Sequence, residues 1–279
     1  MSGTCTRPRR LLAVAVAAAT AGGAAFGLAP AASAAPAPAT VADAAATVTG
    51  AAFGVADAPA APPATAATTA AATNDQLVQS WYVDFLARED PSADPARALW
   101  VDRLDRGDKR GDVLWSITES REYAELSVEA TYALLLGRDL DPGAEYWVSG
   151  VDERGMAVEW VQQQVLVSDE FFRVQSSGST KVLVSNWYKS VLGRTATAGE
   201  LSYWTGRVAA VGRLAALREI WYTPEAVQLR VVINYEYLLL REPSAGELRY
   251  WAPKEVESDR NVAVLIASTP EYAELVSED

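Results

Sequence analysis

The chain has no histidine in 279 residues and a single cysteine, Cys5. Without imidazole there is no Ser-His-Asp or Cys-His constellation and no histidine general base. The usual ligand set for zinc is missing too. One cysteine ahead of an apolar stretch builds no disulfide framework, and it is not placed like a lipoprotein anchor. Only carboxylate, tyrosine or lysine chemistry stays open. Acids are plentiful, so a glycosidase-type pair is not excluded by inventory, but nothing in the sequence isolates two of them in an apolar setting. The richest acidic stretches, 102–112 and 255–259, read as solvated loops. The sequence therefore supports no catalytic residue, no cofactor and no metal ligand, and the chain reads as non-enzymatic.

Arg7, Arg9 and Arg10 precede an apolar run from Leu11 to Leu28, and Ala32-Ser33-Ala34 supplies a small-x-small cleavage pattern. Together they predict a secretory signal over residues 1–34. The alternative is an uncleaved anchor, for which this Ala- and Gly-rich run is weakly hydrophobic. Arg9-Arg10 also suits twin-arginine export. Cleavage removes Cys5 and three arginines, which leaves 21 basic against 36 acidic residues and a net charge of −15. Such a surface repels nucleic acid and anionic lipid, so neither nucleic acid nor, after cleavage, a membrane is an expected partner. The expected location is extracellular or cell-wall associated.

Residues 35–74 are nearly all Ala, Pro, Thr, Val and Gly, with Asp43 and Asp57 as the only charges and Phe53 as the only aromatic. That composition predicts a disordered, semi-extended spacer. All nine tryptophans lie beyond it.

From 75 to 279 the chain aligns on itself four times, over about 76–127, 128–178, 179–229 and 230–279. A tyrosine stands six residues before an arginine at Tyr82/Arg88, Tyr132/Arg138, Tyr188/Arg194 and Tyr235/Arg241. A helix start follows at Asp94, Asp141, Thr197 and Ser244, where a side-chain oxygen can cap the first turn. Six or seven residues later come Trp100, Trp147, Trp204 and Trp251, three of them directly after Tyr146, Tyr203 and Tyr250. Each copy closes on a Ser/Thr-x-Glu element, as in Ser120-Arg121-Glu122 and Thr269-Pro270-Glu271, which predicts another capped helix with its Glu at the positive dipole end. Apolar residues between these signatures recur at helical spacing. The expected fold is all-α, an array of four tandem repeats with about three helices each.

The stretch Tyr132-Ala-Leu-Leu-Leu-Gly-Arg138-Asp-Leu-Asp141-Pro-Gly143-Ala-Glu-Tyr146-Trp147, closing at Ser168-Asp-Glu-Phe171, closely resembles the bacterial "domain of unknown function 4214" family. The third copy keeps Gly193-Arg194, Gly199 and Tyr203-Trp204. The fourth has Leu240 where the glycine stands, and the first has Ala87 there with three extra residues before Asp94. The resemblance implies a helical module common in secreted and surface bacterial proteins, and it carries over no catalytic residues.

Several residues admit two readings. Asp139-Leu140-Asp141-Pro142-Gly143 suggests a calcium loop, but an EF-hand needs Glu at its twelfth position, where Gly150 stands; the cap reading is preferred. Arg88, Arg138, Arg194 and Arg241 read as tethers of the interhelix loop rather than a row of anion sites. The Tyr-Trp pairs read as core rather than sugar platforms. Trp81, Trp115, Trp160 and Trp187 are less uniform between copies and are the better candidates for a ligand surface, with Trp115, Trp160 and Trp187 as the candidate set. The expected function is non-catalytic binding of an extracellular protein or cell-envelope glycan. The rival readings are a carboxylate-dependent enzyme on envelope polysaccharide and a self-associating surface-layer component.

Overall fold

A computed structural model describes residues 72–88, 94–256 and 258–278 of the chain. The secretory signal expected over residues 1–34 and all but the end of the spacer expected over 35–74 lie outside these residues. Among the described residues the regular structure is helical, without a strand, and no helix is long and apolar enough to cross a membrane.

The helices come in threes. The first set is α1 (Asn74–Leu86), α2 (Pro95–Asp105) and α3 (Arg110–Thr118). The second is α4 (Arg121–Leu136), α5 (Glu145–Arg154) and α6 (Val158–Val167), the third α7 (Thr180–Leu192), α8 (Ala198–Val211) and α9 (Arg213–Trp221). The fourth is α10 (Pro224–Leu238), α11 (Ala245–Glu255) and α12 (Asp259–Ile266), after which α13 (Pro270–Glu278) ends the described chain.

Local chemistry starts and stops these helices. The Asp94 side chain accepts from the Ala96 amide, and Asp141 does the same for Gly143 at the head of a short 3-10 turn leading into α5. Thr197 with Glu200 and Ser244 with Glu247 form complete capping boxes, two orphan amides satisfied at each. A left-handed residue stands at or just past the end of every first helix, directly ahead of the arginine: Ala87, Gly137, Gly193 and Leu240, with φ of 50°, 69°, 64° and 54°. This conformation turns the chain so that following amides bond carbonyls of the last turn, as the Arg88, Gly137 and Arg194 N–H groups do to Tyr82, Tyr132 and Tyr188.

Within each set the second helix packs on the first, and third helices meet across the molecule: α3 on α12, and α6 on α9. First helices join the sets through α1 on α4 and α7 on α10. The junctions alternate in kind. α4 and α10 run unbroken across residues 127/128 and 229/230, so those two sequence boundaries fall inside helices. Between α6 and α7 the chain instead makes a π turn over Phe171–Gln175 and breaks at Ser177 and Gly178, both with positive φ. The fourth junction joins the two ends: α13 packs on α1 and closes a ring. The closure repeats the geometry of the broken junction. Trp187 Nε1 donates to the Leu166 carbonyl at 3.0 Å, and Trp81 Nε1 donates to the Ala267 carbonyl at 3.1 Å. Tyr272 of α13 adds a buried bond of 2.6 Å to Asp84 of α1.

Candidate functional site

One side-chain assembly recurs in all four sets. The arginine after each first helix grips the glutamate of the next closing element in a bidentate fork. Arg88 holds Glu122 at 2.8 and 2.6 Å, and Arg138 holds Glu170 at 2.6 and 2.9 Å. Arg194 holds Glu225 at 2.5 and 3.0 Å, and Arg241 holds Glu271 at 2.5 and 2.8 Å. Each guanidinium also reaches the acid at its own second-helix start: Asp94, Asp141, Glu200 or Glu247. It lies 4.6–5.0 Å over the ring of Tyr82, Tyr132, Tyr188 or Tyr235. The tyrosine hydroxyl in turn accepts from the tryptophan of the second helix, at 2.7 Å from both Trp204 and Trp251.

The electrostatics follow from this packing. Arg194 holds the Glu200 carboxyl down at about 2, and Arg241 does the same to Glu247. Burial pushes Tyr82 and Tyr188 up to about 12. Two carboxylates already balance each of these guanidinium charges, which leaves little to attract a further anion. The assembly ties first helix, second helix and following set together.

The second helices lie at the rim, packed chiefly on their own set. Here the Tyr-Trp pairs divide their labour. Trp204 and Trp251 are buried, and Trp100 and Trp147 partly so. The preceding tyrosines face out: Tyr146 is 61% exposed, Tyr203 47%, and Tyr250 partly exposed. Each stands edge-to-face on its tryptophan with centroids 4.8–5.0 Å apart. A cation attends the outer rings, with Arg154 5.0 Å from the Tyr146 centroid and Lys254 3.6 Å from that of Tyr250. In α2 the same position is Leu99, also exposed.

The tryptophans singled out from sequence do not form this surface. Trp187 and Trp81 have no exposed area and are core residues, which corrects the ligand-surface expectation for both. Trp115 is half-buried, with Nε1 bonded to Glu119 at 2.7 Å and Arg260 over its ring at 4.2 Å. Trp160, on a different helix, has Arg218 at 6.0 Å.

The acidic stretches also need correction. The 102–112 stretch is mostly exposed, but Glu255 is only 3% exposed and Asp259 partly buried. A polymeric substrate cannot reach a carboxyl in that position, so these acids do not make a polysaccharide-cleaving pair. Two open clefts exist elsewhere. One, of about 420 Å³, is lined by Glu125, Glu129, Asp139, Asp141 and Glu145 with Leu140 and Val148. The other, of about 440 Å³, lies between α1 and α2, with Asp75, Asp94, Asp102 and Asp105 facing Arg97. In the first, Asp141 is committed to the Gly143 amide and to Arg138. Among the described residues, no three acids converge with metal-site spacing.

No known protein family, no curated protein and no solved structure matches the chain.

Proposed function

We propose that this chain is an exported, non-catalytic binding module of four helical repeats, of the kind it resembles in sequence, and that it takes cell-envelope glycan on its rim. The observation that carries this reading is the set Tyr146 and Tyr203, both exposed, with Tyr250, partly buried, at one register of three successive second helices and each braced by the tryptophan beside it. A solvent-facing ring held still by its neighbour can stack on a sugar without first being ordered, which lowers the cost of binding. Spacing such rings around a ring-shaped scaffold suits a long, repetitive ligand, since several weak contacts add through proximity. The exported location rests on the basic, apolar and small-residue pattern of residues 1–34.

The bracing also supplies the assay. A ligand stacked on the tyrosine lies next to a tryptophan, so indole fluorescence reports it. The mature protein titrated with cell-wall fractions should show a saturable shift, and replacing the three tyrosines with alanine should weaken it at least tenfold, about 1.4 kcal/mol, without loss of fold. A triple variant that binds like the wild type, or a wild type that responds to no fraction, defeats the reading.

A further inference from the structure

Where α6, α10, α11 and α12 meet, three carboxyls approach one another: Glu255 at the end of α11, Asp259 at the start of α12 and Glu159 at the start of α6. Arg230 of α10, itself buried, bonds Glu255 Oε1 at 3.0 Å and spends another donor on the Trp221 carbonyl at 3.2 Å. Asn234 of α10 donates to Asp259 Oδ1 at 2.7 Å. The Asp259 amide donates to Glu159, which ties α12 to α6 across 100 residues. Arg260 turns the other way, onto the Thr118 carbonyl and the Trp115 ring of α3. Tyr123 of α4 faces the same group. Glu255 Oε2 is buried and has no hydrogen-bond partner.

We propose that Glu255 and Asp259 are a proton-operated latch: with a proton shared between them they hold the α11–α12 turn against α6 and α10, and full ionisation loosens α12 from the ring. Among the described residues Arg230 is the one cation bonded to the cluster, and a single guanidinium cannot neutralise three negative charges in a site that water does not reach freely. A proton on the pair removes one of those charges and turns an unpartnered buried acceptor into a donor. Both groups are displaced in the direction this requires. Burial first, then the neighbouring carboxylate, pushes Glu255 well above the usual range. Burial, then Glu159, raises Asp259 to about 6. Acids raised on folding make the folded state bind protons more tightly than the unfolded chain. The stability they contribute is complete below about 4 and is lost as pH climbs through about 6. With no histidine in the chain, this cluster is a switch made of carboxyls alone.

The test is hydrogen exchange of the α12 amides in the whole protein, corrected for intrinsic rate, from pH 4.5 to 8, alongside carboxyl NMR titration. In the wild type, protection of α12 should fall by up to about 100-fold across that range, the fold-change of a two-unit displacement. In Asp259→Asn it should stay nearly flat, while α7 and α8 behave alike in both proteins. If Asp259→Asn does not fold, Glu255→Gln serves in its place. Equal pH profiles in wild type and variant overturn the latch, and so does a titration that places Asp259 at or below 4.

Discussion

The indole N–H of Trp81, in the first helix, donates to the carbonyl of Ala267, 186 residues further along. The bond repeats, across the two ends of the chain, what Trp187 and Leu166 do across 21 residues in its middle. The two contacts should therefore carry similar weight. Trp81→Ala and Trp187→Ala each empty a fully buried site, which costs about 3–5 kcal/mol. For a domain of this size that lowers Tm by roughly 10 °C in either variant. Thermal unfolding checks it: a Trp81 variant far milder than the Trp187 variant would mean that the ends only fray.

Leu240 and Ala87 occupy the left-handed position that Gly137 and Gly193 fill elsewhere. A Cβ in that conformation costs about 1–2 kcal/mol, partly offset because glycine loses more freedom on folding. Leu240 is largely exposed, so little apolar burial is given up with its side chain. Leu240→Gly should raise stability by about 0.5–1 kcal/mol, and Gly193→Ala should lower it by about 1 kcal/mol. Urea midpoints at constant slope measure both.

Glu200 and Glu247 are depressed to about 2, the reverse of the latch acids. Their stabilisation is complete above the ordinary glutamate range and is lost as pH falls from about 4.5 toward 2. Arg194→Ala should shrink that acid-side loss for Glu200 to the part the Thr197 cap supplies, and cost about 1–3 kcal/mol at neutral pH, since two carboxylates lose their shared partner. Arg194→Lys should recover only part of this, because an ammonium cannot reproduce the planar fork. Stability measured from pH 2 to 7 in the three proteins separates these outcomes.

Tyr146→Ala and Trp147→Ala, adjacent on α5, should part company. The tyrosine faces solvent and its loss should change stability by less than about 0.5 kcal/mol. The tryptophan packs against the core, and its loss should cost about 2–4 kcal/mol. Comparable melting shifts for the pair would mean that Tyr146 is scaffold rather than surface.

Caps and helix ends are legible from sequence because each depends on residues within four positions of one another, as in Thr197 with Glu200. The grip of Arg138 on Glu170 is not legible in that way. It spans 32 residues and two helices, and the recurrence of one such arginine and one Ser/Thr-x-Glu in every copy, 30 to 34 residues apart, is the one sequence signal that points to it. Trp187 was misread for a physical reason. Its variation between copies reflects two kinds of junction: Trp81 and Trp187 stand where the helix is interrupted, Thr131 and Asn234 where it is continuous. Glu255 and Asp259 belong to what looks like a solvated loop in one dimension and are enclosed by Arg230, Asn234 and Glu159 in three. The Tyr-Trp pairs read as core from sequence, yet Tyr146 and Tyr203 face out, because residues such as Tyr146 and Trp147 are neighbours in sequence but lie about 100° apart on a helix, so only one of them can face the core.

The uninterrupted helices α4 and α10 have a consequence for how the molecule comes apart. A helix shared by two neighbours cannot melt in one and persist in the other without breaking mid-span, whereas the interruption at residues 176–179 already separates its flanks. Opening should therefore proceed by halves, with α1–α6 and α7–α13 as the cooperative blocks rather than four quarters. A molecule pulled from its ends, after the α13 clasp yields, would lengthen in two large steps.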